Sequence, residues 1–100
     1  MANYNLNGVI SAVETLVSRI RAARPMGTRQ EQYRQFLSLR LEIDQLEDTI
    51  DLWEDQVRAD YRAGTITRDE YKNIDRILDS LDDRLDRAEN LLQRIFGIDD

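Results

Sequence analysis

Residues 36–57 read FLSLRLEIDQLEDTIDLWEDQV, and their apolar side chains return at alternating steps of three and four. Residues 74–95, IDRILDSLDDRLDRAENLLQRI, repeat the pattern. This spacing keeps apolar side chains on one face of a helix and is the seam pattern of a coiled coil. The two rows are Phe36, Leu39, Ile43, Leu46, Ile50, Trp53 and Val57, and then Ile74, Leu78, Leu81, Leu85, Ala88, Leu92 and Ile95. They predict two long helices that pack along their length.

The segment between the two rows predicts a tight turn. Gly64 suits the left-handed residue that follows the end of a helix. Thr67 and Glu70 have the spacing of a capping box, in which each side chain accepts a backbone N–H at the start of a helix. Ile66 and Tyr71 occupy the two positions of a hydrophobic staple. The chain is therefore expected to fold back as an antiparallel helical hairpin.

A shorter helix is predicted before the hairpin. A wide apolar stripe predicts that it packs on two neighbours, and Pro25 ends it because proline cannot continue the backbone hydrogen bonds. Thr28 and Glu31 form a second capping box at the start of the next helix. The prediction is an all-α protein, an antiparallel three-helix bundle with a long coiled-coil hairpin. One domain, 1–100, holds helices at about 5–24, 28–63 and 67–96.

Helix lengths predict an uncovered arm. Helix 1 spans ~30 Å, whereas helices 2 and 3 span ~50 Å and ~45 Å. A tight turn at residue 26 places Leu16 beside Phe36, so helix 1 ends near Leu46 and leaves the arm from Glu47 to Arg84 with two helices only. Exposed apolar area marks an interface, which predicts a homodimer, unless helix 1 shifts to cover more of the arm. The predicted interface residues are Ile50, Leu52, Trp53, Val57, Ile74, Ile77 and Leu78.

Composition removes several classes of function. The net charge of −6 opposes direct binding to DNA, RNA or anionic membranes and leaves basic protein partners open. The chain has no cysteine and no histidine, so zinc sites of the usual kind, haem ligation by histidine and Ser–His–Asp catalysis are excluded. We therefore expect no cofactor, no metal and no enzymatic activity.

The chain also lacks the features of an exported or membrane-spanning protein. Its first residues carry no basic leader, and no apolar run approaches the ~20 residues that a membrane span needs. The sequence therefore predicts a cytoplasmic protein.

Acidic stripes are the strongest functional feature of the sequence. They are Asp44, Asp48, Asp51 and Asp55 in helix 2, and Asp75, Asp79, Asp82, Asp86 and Glu89 in helix 3. Such runs are usually a solvated face, and Arg76, Arg84 and Arg87 are expected to neutralise part of them. The functional interpretation is a docking surface for a basic protein partner. It favours a non-enzymatic interaction or assembly protein that acts through the arm and the acidic faces.

An alternative is a small acidic inhibitor of the kind that viruses and mobile elements encode. Successive carboxylates on one helical face step by ~5 Å, which is near the ~3.4 Å axial step between phosphates in one DNA strand. A protein of this kind would act as a decoy and block the basic site of a nucleic-acid-handling protein.

The predicted turn resembles a known helical family. The run Gly64-Thr65-Ile66-Thr67-Arg68-Asp69-Glu70-Tyr71, followed by Leu78, is similar to the pattern of the short C-terminal domain family. The resemblance covers roughly residues 61–80. It implies a helix-turn-helix association element and no catalytic activity.

A second resemblance supplies the enzymatic alternative. Residues 39–48 contain Leu-Arg-x-x-Ile-Asp-x-Leu-x-Asp, which looks like the opening helix of helical chorismate mutases. Those enzymes need an array of basic residues around a dicarboxylate substrate. Arg40 and Arg58 match loosely, but the internal lysine is missing, which favours the non-enzymatic interpretation.

Overall fold

The computed structural model describes residues 4–98 as three helices. They are α1 (Asn7–Ala22), α2 (Arg29–Arg62) and α3 (Arg68–Phe96), and this part of the chain contains no strand. Every helix packs on the other two, and α2 packs most extensively on α3. The predicted all-α bundle is confirmed. The molecule measures 54 × 20 × 17 Å, so its length is that of the longest helix.

Local sequence sets the ends of the two long helices. Both capping boxes form, because the Thr28 and Thr67 hydroxyls accept the backbone N–H of Glu31 and Glu70, whose carboxylates accept in return. Gly64 has φ 76°, a left-handed conformation that glycine adopts without a steric penalty. The hairpin turn is therefore specified by its own residues.

The core is a continuous apolar column. Its largest fully buried side chains are Phe36, Ile20, Ile43, Ile50, Leu78, Leu85, Leu92, Val13 and Val57. Within residues 4–98 no polar or charged residue is buried. Burial of apolar surface, at roughly 25 cal/mol per Å², is therefore the main term that stabilises the bundle.

The predicted uncovered arm is wrong, because α1 lies further along the hairpin than a tight turn would place it. Arg19 donates to Glu42 at 2.6 Å. Compared with the predicted pairing of Leu16 and Phe36, α1 is therefore displaced along α2 by about nine residues, or ~13 Å. Before α1, the ring of Tyr4 packs edge-to-face on Trp53 with centroids 6.0 Å apart, and its hydroxyl donates to Asp60. Residues 4–22 therefore cover the hairpin as far as its turn.

The cause of this shift is the connection between α1 and α2. Ala23 is extended, with φ −65° and ψ 140°, and Pro25 cannot resume the helix. The Met26 N–H donates to the Gln35 side chain at 3.3 Å, so the connection that follows α1 runs beside the first turns of α2. An extended residue advances ~3.3 Å and a helical residue only 1.5 Å. A few connecting residues therefore displace α1 by about two to three turns.

Most of the predicted interface residues lie inside the chain's own bundle. Ile50, Val57 and Leu78 are fully buried, and Trp53 and Ile74 are half-buried. Leu52 and Ile77 are exposed. The arm therefore gives no reason to invoke a second copy.

Candidate functional site, an acidic ridge and an arginine groove

The outward side of α2 carries both carboxylates and leucines. We call this surface the α2 ridge, and it consists of Leu37, Leu41, Asp44, Asp48, Leu52 and Asp55, all exposed. At 3.6 residues per turn, Leu41, Asp48 and Leu52 fall within about 40° of one another. They lie on the side of α2 opposite the buried Ile43 and Ile50. The ridge therefore points straight out of the bundle.

A second acidic surface follows the junction of α2 and α3. We call it the acidic seam, and its members are Glu47, Asp51 and Glu54 of α2 with Asp79, Asp82, Asp86 and Glu89 of α3. Arg40 lies at one end of the seam, 3.2 Å from Glu89 and 3.8 Å from Asp44. The predicted helix 3 stripe therefore faces α2, and the predicted helix 2 stripe divides between the ridge and the seam.

Glu47 and Glu54 were not among the predicted site residues. Each directly follows a residue of the apolar row, Leu46 or Trp53, and so occupies the position that flanks a helical seam. The predicted stripes follow carboxylates along single helices, whereas these two glutamates become important only when α3 packs beside them. The flanking position was the signal that could have found them.

Carboxylates in the seam are close enough to perturb one another. Burial raises the pKa of Glu54 to about 7, helped by a hydrogen bond with Asp82 and by the negative charges of Asp82, Asp51 and Asp79. Burial also raises the pKa of Asp82, although its hydrogen bond with Glu54 acts in the opposite direction. The pKa of Glu47 is raised by burial and then by neighbouring acids. Crowding at this seam therefore favours protonation.

The raised pKa of Glu54 predicts a dependence of stability on pH. Its usual pKa is 4.5 and its folded pKa is about 7, so in this window the folded chain holds more protons than the unfolded chain. Stability therefore falls as pH rises through the window. Because the carboxyl group is partly solvated, we expect a loss of only about 1 kcal/mol between pH 5.5 and 8. Urea unfolding at the two pH values measures it.

Glu54→Gln tests the assignment of this pH dependence. We expect this variant to be more stable than the wild type at pH 8 and to lose at least about half of the pH effect. Asp48→Asn is the matched control, since Asp48 is exposed on the ridge of the same helix. A glutamine variant that keeps the full wild-type pH dependence would show that Glu54 is not its source.

Two carboxylate triads in the seam have the geometry to hold a cation. In Glu47–Asp86–Glu89 and in Glu54–Asp79–Asp82, one oxygen of each residue lies within 4.8 Å of the others. Oxygen ligands suit Mg²⁺ or Ca²⁺. Neighbouring acidic side chains often converge in this way without an ion, and we assign no metal to either triad.

A basic groove lies on a different side of the bundle, between α1 and α3. We call it the arginine groove. It encloses about 290 Å³, and its lining includes Val17, Arg21, Arg84, Arg87, Leu91 and Arg94. Arg84 lies 3.6 Å from Glu14, whereas Arg21, Arg87 and Arg94 make no ion pair with any residue of 4–98. Arg84 and Arg87 were expected to neutralise part of the acidic stripes. They lie instead on the α1 side of α3.

Two of these arginines, Arg21 and Arg94, lie at favourable helix ends. Arg21 lies in the last turn of α1 and Arg94 in the last turn of α3, where the negative end of the helix dipole favours cations. Both helices end at the same end of the bundle, because each runs antiparallel to α2. The groove therefore gathers positive charge in a chain whose net charge is −6.

The two arginines that resemble chorismate mutase residues do not meet. Arg40 contacts Glu89, and Arg58 lies 3.6 Å from Asp55. They are separated along α2 by about 27 Å, and each faces a carboxylate of the chain itself. The structure therefore does not assemble these two residues into a basic site.

Comparison of the chain with protein-family models, with curated proteins and with solved structures found no match. The resemblance to the short C-terminal domain family therefore stays a prediction. In the part of the chain that the structure covers, none of the helices combines the length and the apolarity required to cross a bilayer.

Proposed function

We propose that this protein is a non-enzymatic interaction or assembly protein whose α2 ridge binds a basic, partly apolar surface of another protein. The observation that carries the proposal is the exposure of Leu41 and Leu52, 57% and 70%, in line with the ridge carboxylates. A merely solvated acidic face has no need of leucines. Exposed apolar side chains within a charged rim are typical of protein interfaces.

The same leucines favour a protein partner over the decoy hypothesis. A basic site that binds nucleic acid is built around phosphates, and leucines among the carboxylates do not resemble a phosphate backbone. A decoy would act through a surface of carboxylates alone, and the acidic seam is the candidate for it. The two hypotheses therefore depend on different residues of the chain.

A defined probe tests the ridge. The probe is a synthetic helical peptide with arginines at heptad spacing and leucines between them, and its binding is measured by calorimetry at low and high salt. Asp44→Asn with Asp48→Asn is expected to weaken binding about tenfold, because two lost charge pairs contribute about 1.4 kcal/mol. Binding should also fall as salt increases.

The matched control neutralises two exposed acids on α3, Asp69→Asn with Asp83→Asn, and should change affinity by less than about twofold. Equal losses in both variants would show a general charge effect and contradict the proposal. The decoy hypothesis predicts instead that Asp79→Asn with Asp86→Asn causes the larger loss.

A further inference from the structure

We infer that the partner surface for the α2 ridge is the arginine groove of a second copy of this chain. The inference rests on the proposed function and adds to it the identity of the partner. The ridge is a convex row of carboxylates and leucines. The groove is concave, and its lining combines four arginines with the apolar side chains of Val17, Ala88 and Leu91. One chain therefore carries both halves of a complementary pair.

The two surfaces cannot meet within one molecule. In a bundle where all three helices pack on one another, each helix lies opposite the groove between the other two. The α2 ridge and the α1–α3 groove therefore face away from each other. A second copy placed beside the first, without rotation about the long axis, brings its ridge to the first copy's groove.

Ion pairs within the chain show that the two surfaces lie at the same height along the bundle. Arg40 contacts Glu89 at 3.2 Å, and Arg19 contacts Glu42 at 2.6 Å. Residues 37–48 of α2 are therefore level with residues 84–94 of α3 and with the last turns of α1. Two copies side by side and parallel meet through Leu37, Leu41, Asp44 and Asp48, with no shift along the axis. Leu52 and Asp55 lie beyond the groove.

The chemistry of the two surfaces matches at this height. The antiparallel register of α2 and α3 places Leu41 opposite Leu91 and the buried Ala88 of the neighbouring copy. It places Asp44 and Asp48 opposite Arg84 and Arg87. Arginine–carboxylate pairs can be bidentate, and those at the edge of an apolar contact are less exposed to water than isolated surface pairs. The predicted contact therefore combines charge pairing with apolar burial.

When two copies pair in this way, one copy keeps a free groove and the other keeps a free ridge. Contacts between unlike surfaces build rings only when a rotation closes them, and otherwise build open rows. Because ridge and groove face opposite directions, successive copies are related by translation and the row stays open. The assembly therefore grows with protein concentration and does not stop at a dimer.

Charge reversal on both surfaces tests the inference. Sedimentation equilibrium of the wild type at low ionic strength should show a mass that rises with concentration. Asp44→Arg with Asp48→Arg, or Arg84→Glu with Arg87→Glu, should each lower the association constant more than about a hundredfold, since attraction becomes repulsion. A chain with all four substitutions keeps the net charge of −6 and should regain association to within about tenfold of the wild type.

The control reverses two exposed acids of α3 that lie outside both the ridge and the groove, Asp69→Arg with Asp79→Arg. It changes the net charge as much as the ridge variant does and should leave association within about threefold of the wild type. Circular dichroism confirms that every variant is folded. A wild-type protein that stays monomeric at the highest concentration measured overturns the inference, as does a four-substitution chain that does not regain association.

Failure of this inference and failure of the proposed function give different results. The groove variant, Arg84→Glu with Arg87→Glu, retains an intact ridge. If it binds the arginine–leucine probe as the wild type does while the wild type remains monomeric, the proposed function stands and the second copy is not the partner. If the ridge variant still binds the probe at full affinity, the proposed function itself is wrong.

Discussion

Leu78→Ala is expected to lower the free energy of unfolding by about 2–5 kcal/mol, whereas Leu52→Ala lowers it by less than about 0.5 kcal/mol. The predicted uncovered arm placed both leucines in one exposed interface. In the structure Leu78 is 0% exposed and Leu52 is 70% exposed. Truncation of Leu78 leaves a cavity between α1, α2 and α3, while truncation of Leu52 removes a side chain already in water. Urea unfolding of both variants measures the difference.

The two leucines also distinguish a covered arm from an arm buried in a dimer. If two copies met through the arm, Leu52→Ala would weaken the dimer and the unfolding midpoint would depend on protein concentration. With α1 covering the arm, this midpoint is independent of concentration at high salt, where the proposed ridge contact is screened. A loss for Leu52→Ala as large as that for Leu78→Ala would contradict the register of α1.

Val13→Asp has the other largest expected effect, the release of α1 from the hairpin. Val13 is fully buried at the middle of α1, and an unpaired carboxylate there costs about 4 kcal/mol or more. This is comparable with the whole stability of a small domain, about 5–15 kcal/mol. Release of α1 would uncover Trp53, so its fluorescence should shift to the red in a chain that keeps most of its helix.

Ser18→Asp is the matched control, because Ser18 is an exposed position of the same helix. It introduces the same charge and should cost less than about 0.5 kcal/mol. Retention of the wild-type Trp53 spectrum in Val13→Asp would mean that α1 does not pack where the structure places it. Light scattering adds a second readout, since a bare arm exposes enough apolar surface to associate.

The hairpin could be predicted from sequence because its signals are local. The apolar rows set which face of each long helix is buried, and they account for Phe36, Ile43, Leu78 and Leu85 in the core. The capping box at Thr67 and the left-handed glycine at the turn act within a few residues. Each of these features depends on residues that are close together in the sequence, so it can be predicted without knowing where the other helices lie.

The position of α1 depends on features that no local pattern reports. Its apolar stripe predicted correctly that α1 packs on the other helices. Its position along the bundle axis is set instead by the extended connection, which the Met26–Gln35 hydrogen bond holds against α2. A helix of this kind can slide by one or more turns and still bury its stripe. The contact between Tyr4 and Trp53 therefore follows from tertiary packing and could not be predicted from local sequence patterns.

The candidate site was predictable only in part for the same reason. Runs of aspartate identified the charge on α2 and α3, but not the side of the bundle that each would face. Glu54 became a perturbed carboxyl group only through its contact with Asp82. The arginine groove joins Arg21 to Arg84, Arg87 and Arg94 across two helices, and its existence follows from the height of α1.

The shifted register also separates the two ends of the described chain. Tyr4 reaches Asp60 beside the hairpin turn, whereas Ile98 follows the last turn of α3 at the opposite end of a 54 Å rod. In a row of parallel copies, the Tyr4 residues of all copies would lie along one margin and the Ile98 residues along the other. The two long edges of such a ribbon are different, so a fluorophore or fused domain attached near Tyr4 or near Ile98 would label only one edge.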